Sequence, residues 1–138
     1  MLTKQISIFL ENKEGRLAQL TSILAKSNIN INALTIADTS DFGILRIIVD
    51  DTKKAEDLLK ENGFLVSVTD VIALDIEDKP GGISKPLNRL YAEGISVEYI
   101  YAFLSKKENT AHVIIKVDQN DKALDILKNN GFKSTATV

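Results

Sequence analysis

The sequence predicts an α+β protein made of two tandem βαββαβ units, residues 1–69 and 70–138, each an antiparallel sheet with its helices on one face. Three observations carry that reading. Residues 54–64, KAEDLLKENGF, and residues 122–132, KALDILKNNGF, are identical at eight of eleven positions at an offset of 68. Earlier in each half the offset is 66: Glu11-Asn12-Lys13-Glu14-Gly15-Arg16-Leu17 aligns with Glu77-Asp78-Lys79-Pro80-Gly81-Gly82-Ile83, and Ile29-Asn30-Ile31 with Ile95-Ser96-Val97. Within each copy the apolar residues also switch between a period of two and a helical period. The two-residue change in offset falls around Ser40 and Lys106, where a hairpin loop can absorb it.

The elements follow in order. Ile6, Ile8 and Leu10 alternate with Gln5, Ser7 and Phe9, the pattern of a half-buried strand. After a turn at Gly15, Leu17, Leu20, Ile23 and Leu24 recur at helical spacing. Ile29, Ile31 and Ala33 restart the two-residue period, 38–41 breaks it, and Leu45 to Val49 forms the next strand. Ala55, Leu58 and Leu59 make a second helix, which Asn62-Gly63 ends as a glycine C-cap. Leu65 to Val68 is the fourth strand. The second copy repeats the order, with strands near 71–76, 95–103, 110–117 and 132–137 and helices near 83–93 and 119–129. Pro86 fits only within a first helical turn, with Ser84 as the expected N-cap. Val66, Val68, Ile72, Leu74 and Ile76 share one parity, so the last strand of copy one should run directly into the first strand of copy two. This order is that of a split βαβ, ferredoxin-like unit.

Composition narrows the function. The 138 residues are 44% apolar and 26% charged, ordinary for a globular protein. A unit of about 70 residues buries a modest core, so the two copies are expected to pack together. The net charge of −2 leaves no excess of Lys and Arg for a nucleic-acid backbone. Cysteine is absent, which removes disulfides, thiolate metal sites and cysteine nucleophiles and fits a cytoplasmic setting. The N-terminus alternates like a strand and does not read as a signal peptide. No apolar run approaches the roughly 20 residues of a membrane span. No metal or other cofactor is expected.

Ferredoxin-like units host many functions, so the site has to decide. An RNA-recognition module needs aromatic and basic residues on its third strand, and Ile44 to Val49 and Ala111 to Ile115 offer no such platform. A metal-chaperone unit needs paired cysteines. An acylphosphatase would use Arg16 and Asn12, but the surrounding glycine-rich pattern is missing. The single histidine, His112, is matched to Arg46 in the first copy and reads as a surface position. Asp50-Asp51 reads as a helix cap, and Lys53-Lys54 and Lys106-Lys107 as solvated. No catalytic residue is expected.

The loops 11–17 and 77–83 join the first strand of each copy to its first helix. Glycine there lets the backbone approach a ligand, and a helix start offers N–H groups to a carboxylate. Asn12 or Asp78 could accept from an ammonium group, and Asn30 is the next polar side chain expected nearby. A free amino acid suits such a site. The alternative is that the glycines only permit tight turns and Asn30 caps a loop.

Asp78-Lys79-Pro80-Gly81-Gly82-Ile83, followed by Leu87, Leu90 and Glu93-Gly94-Ile95-Ser96-Val97, resembles the signature of the ACT domain. The first copy is similar through Asn12, Gly15, Leu17 and Asn28-Ile29-Asn30-Ile31, with Glu14 where proline is usual. Residues 37–45 look like those of stand-alone tandem ACT proteins. The resemblance implies a non-catalytic regulatory module that binds a free amino acid where two ACT units meet. It also implies a homodimer and an output through a separate metabolic enzyme. Asn12 and Asn30 match family positions that contact the amino acid, and become Asp78 and Ser96 in copy two. The candidate ligand-binding set is thus Asn12, Glu14, Gly15, Arg16, Leu17 and Asn30 with Asp78, Pro80, Gly81, Gly82, Ile83 and Ser96. A second reading is a regulatory subunit similar to the small subunit of acetohydroxyacid synthase, whose N-terminal ACT unit the first copy resembles.

Overall fold

The computed structural model of the chain describes residues 1–11, 14–38 and 41–135. Among these lie six strands and four helices: β1 (Leu2–Glu11), α1 (Arg16–Lys26), β2 (Ile31–Asp38), β3 (Phe42–Val49), α2 (Thr52–Glu61), β4 (Leu65–Glu77), α3 (Ser84–Ala92), β5 (Val97–Ala102), β6 (Thr110–Val117) and α4 (Asn120–Asn129). This is the expected α+β architecture, the βαββαβ ferredoxin-like unit used twice with antiparallel strands. None of the described helices is long and apolar enough to cross a membrane. The chain divides into two compact units, Lys4–Asp70 and a second formed by Met1–Thr3 with the described residues from Val71 onward. As the shared parity of Val66, Val68, Ile72, Leu74 and Ile76 predicts, β4 passes from one unit to the next without a break.

In the first unit the strand order is β2-β3-β1-β4. Glu11 pairs with Phe42 and Ile6 with Ile47 across β1 and β3, while Ile31 pairs with Val49 and Asp38 with Gly43 across β2 and β3. The even residues of β1 (Ile6, Ile8 and Leu10) bury against Leu20 and Leu24 of α1 and Ala55 and Leu59 of α2. Asp51 caps α2, its carboxylate accepting from the Lys54 N–H at 3.2 Å, as its position before a helix predicts. Gly63 then turns left-handed at φ 83°, so the Gly63 N–H reaches the Lys60 carbonyl and the Phe64 N–H the Leu59 carbonyl. This paired C-terminal bond fixes Phe64 against the core.

The second unit repeats the plan with order β4-β6-β5. Ile72 pairs with Ile115 and Glu77 with Thr110. Ile72, Leu74, Leu90, Val113, Ile115 and Leu127 form its core, and Met1 packs against it with its carbonyl accepting from the Ala73 N–H. Gly131 ends α4 as Gly63 ends α2, and Phe132 follows as Phe64 does.

Three expectations need correction. Residues 132–135 form no strand, and 136–137 lie outside the described residues. The segment is still held: Lys133 accepts from the Asp75 N–H at 2.8 Å, but the Thr135 N–H and hydroxyl then bond the Asp75 carboxylate instead of continuing a ladder. Ser84 is the first helical residue of α3 and not its N-cap, which is Ile83. Pro86 still falls in the first turn, where its missing N–H costs nothing. His112 is buried, only 6% exposed, because it faces Asp75 across β4 and β6. Its counterpart in copy one is Ile44, opposite Phe9, and not Arg46, since the offset has already changed from 66 to 68 before β6.

Candidate functional site

The second loop is closed by its own backbone. The Lys79 N–H donates to the Glu77 carbonyl at 3.0 Å, and the Gly82 N–H to the Lys79 carbonyl at 2.9 Å. Gly81 adopts a φ of 85°, and its carbonyl takes the Ser84 hydroxyl at 3.0 Å and the Lys85 N–H at 3.3 Å. The Gly82 N–H is therefore already spent within the turn. Pro80 and Ile83 are exposed. Asp78 is held by the hairpin beyond β5: its carboxylate meets the Lys106 ammonium at 2.5 Å and its N–H the Asn109 carbonyl at 3.0 Å. Lys106 is thus paired, though this ion pair is exposed and weak by its nature.

In the first loop Asn12 lies outside the described residues. Glu14 and Leu17 are exposed, and Gly15, at φ 83°, sets the start of α1. Arg16 turns inward. Its guanidinium sits 4.4 Å above the Phe64 ring, and its Nη1 donates to Gln19 at 2.9 Å.

Asn30 and Ser96 are not near these loops within their own copies. Each lies at the far end of its helix, and α1, at 1.5 Å per residue, is about 16 Å long. The pairing of Ile31 with Val49, against that of Glu11 with Phe42, puts Asn30 and the Gly15 turn at opposite ends of the sheet. The Asn30 N–H donates to the Asp50 carboxylate at 3.0 Å and its side chain to Asn32, while the Ser96 N–H donates to Asp118 at 3.1 Å. The capping side chains here are the Asp50 and Asp118 carboxylates, which accept from the backbone N–H groups of Asn30 and Ser96.

What gathers at the second loop is a cavity of about 400 Å³, lined by Asp75, Ile76, Glu77, Gly82, Lys85, Thr110, Asn130, Gly131, Phe132 and Lys133. Glu77 carries the charge at its rim, paired with Lys79 at 2.6 Å and Lys85 at 3.2 Å. Those two ammonium groups hold its carboxyl below the usual carboxylate range. Asp75 is committed elsewhere. Its burial favours the neutral acid, but bonds from Thr135 and from His112, at 2.7 Å, outweigh that and lower its pKa. In the first unit a smaller space of about 160 Å³ is lined by Phe9, Glu11, Arg16, Phe42, Gly63, Phe64 and Leu65. Shifted by 66 before the hairpin and 68 after it, every one of these falls on a residue lining the larger cavity. Of the candidate set only Gly82 and Arg16 line these spaces. Lys85 and Phe132 were missed in the sequence, although the repeated Asn-Gly-Phe pointed to the second. Among the described residues no three His, Asp or Glu side chains converge as a metal site requires.

Duplicated ferredoxin-like units with a glycine turn at the start of the first helix define a tandem domain of the ACT type. The chain matches the ACT domain pair family over residues 1–136 and belongs to it. It is 47% identical to protein BT0572 from Bacteroides thetaiotaomicron, whose crystal structure superposes with a TM-score of 0.90 over 96% of this chain and 91% of that one. It is 30% identical over 76 residues to the acetolactate synthase small subunit of Buchnera aphidicola subsp. Baizongia pistaciae (strain Bp), a match covering 53% of this chain and 48% of that relative. The chain thus spans about half the length of that curated relative. The regulatory subunit of aspartate kinase from Thermus thermophilus, in its ligand-free form, shares the fold at a TM-score of 0.67 and 17% identity, over 95% of this chain and 97% of that one.

Proposed function

We propose that this protein is a non-catalytic regulatory module that binds a free amino acid and acts on a separate metabolic enzyme. The observation that carries the reading is the cavity of about 400 Å³ beside the Gly82 turn in a member of the ACT domain pair family. Its size lies in the range of small-molecule sites. It also presents charged groups of both signs, Glu77 and Lys85, with an aromatic ring, Phe132. The decisive measurement is a melting-temperature screen against each standard amino acid. A ligand at about one hundred times its Kd should stabilise the fold by about 2.7 kcal/mol. No shift with any amino acid at millimolar concentration would remove the reading.

A second reading has its own support in the match to an acetolactate synthase small subunit. On that reading the enzyme partner is a synthase large subunit. Co-purification with such a subunit, and a change in its activity on adding this chain, would separate the two readings.

A further inference from the structure

The two copies hold one pocket in two states, and the residue after the glycine turn is the first of the differences between them. In copy one the residue after the glycine turn is Arg16. Its guanidinium lies on the Phe64 ring, with its Nε buried and unpartnered among the described residues. Copy two has Gly82 there, which carries no side chain to lie over Phe132. The Arg16 acceptor Gln19 becomes Lys85, whose ammonium bridges to Glu77 at 3.2 Å. Phe42 and Leu65 become Thr110 and Lys133, so an aromatic and an aliphatic side chain give way to a hydroxyl and an ammonium. The space widens from about 160 to about 400 Å³.

We propose that copy two alone is the ligand site, taking the zwitterion of one α-amino acid, while Arg16 is a built-in occupant that closes the same pocket in copy one. This rests on the amino-acid reading above and adds to it the copy, the stoichiometry and the charge pattern. A cation over the ring is what the fold already accepts at Phe64, so the ligand ammonium belongs over Phe132 and beside Glu77. Its carboxylate belongs with Lys85 and Lys133, which have no counterpart cations in copy one. The exposed pair of Lys85 with Glu77 contributes little, so a ligand carrying both charges can replace it at small cost.

The test uses the full chain and the amino acid giving the largest melting shift, together with its carboxamide and its deamino acid. Calorimetric titration should give one ligand per chain, and both analogues should bind at least about tenfold more weakly, as loss of one charged partner implies. Amide shifts in NMR should move at Gly82, Lys85, Gly131 and Phe132 and stay still at Arg16 and Phe64. Lys85→Glu, a change at an exposed side chain, should weaken binding by about tenfold or more, and Arg16→Ala should leave the affinity of the copy-two site unchanged. Two ligands per wild-type chain, shifts centred on Arg16 and Phe64, or analogues that bind equally well would overturn the assignment while leaving the amino-acid reading intact. Absence of binding by every amino acid would overturn both.

Discussion

A Cβ placed on Gly82 would stand 1.9 Å from the carbonyl oxygen of Glu77 and 3.1 Å from that of Lys79. The close approach at this turn is therefore made by the chain to itself. Both obstacles are backbone atoms tied into the turn, so no side chain can rotate away to make room. Gly82→Ala should destabilise the protein at the upper end of the about 1–3 kcal/mol typical of overpacking, or beyond it. Gly15 and Gly81 differ, because added Cβ atoms there meet open space or only the Ser84 hydroxyl at 4.0 Å. Alanine at either should cost about 1–2 kcal/mol, the strain of a positive φ. Urea denaturation of the three variants tests the order, and an equal loss at Gly81 and Gly82 would contradict it.

Arg16 and Phe64 should be energetically coupled. A guanidinium 4.4 Å from a ring centroid contributes about 0.5–1 kcal/mol at a partly exposed site. A double-mutant cycle with Arg16→Ala and Phe64→Leu isolates that energy from the packing each change disturbs. A coupling indistinguishable from zero would mean that Arg16 fills space over the ring without attraction to it.

Asp75 makes stability depend on pH. Its folded pKa lies below the usual 3.8 because the Thr135 and His112 bonds to the carboxylate outweigh the opposing effect of burial. A lowered folded pKa means that the unfolded chain takes up the proton first. The contribution is therefore complete above the unfolded value and fades as pH falls through the folded one. Asp75→Asn should cost about 1–3 kcal/mol at neutral pH and flatten the acid limb of the stability curve. It should also speed amide exchange at Thr135, whose N–H it anchors at 3.0 Å. An unchanged acid limb in the variant would show that another carboxylate governs it.

Most of the fold was legible because duplication states each element twice. The eight identities between 54–64 and 122–132 fix a helix, its glycine cap and a following phenylalanine in both copies. The strand parity from Val66 to Ile76 likewise carried β4 across the boundary. The last strand of copy two was less legible, since pattern alone did not show that Asp75 would capture the Thr135 N–H and hydroxyl. The offset change of two makes Ile44, not Arg46, the counterpart of His112. Both are half-buried on one face of β3, however, and it is the contacts with Asp75 and Phe103 that bury His112. The candidate site was half legible. Local motif marked the glycine turns, but Asn30 was drawn to them by sequence order, and an intervening helix of 11 residues carries it to the other end of the sheet. Lys85 and Phe132 are remote from the motif and reach the cavity only through tertiary packing.

The smaller space of copy one has exposed apolar side chains around it, and this is the surface on which a second copy of the chain should dock. Phe9, Phe42 and Leu65 are 50%, 49% and 69% exposed, and all three line the same small space. Copy two has Asp75, Thr110 and Lys133 at the matching positions, so the patch is not demanded by the fold itself. Exposed aromatic and aliphatic groups clustered in this way mark association surfaces. The chain should therefore run as a dimer in light scattering at micromolar concentration. Phe42→Thr with Leu65→Lys installs the residues copy two already accommodates, so the variant should fold and shift to the monomer. The matched control, Lys133→Leu in copy two, should stay dimeric. A wild-type monomer throughout the concentration range, or a dimer undisturbed by the double substitution, would exclude this face as the interface.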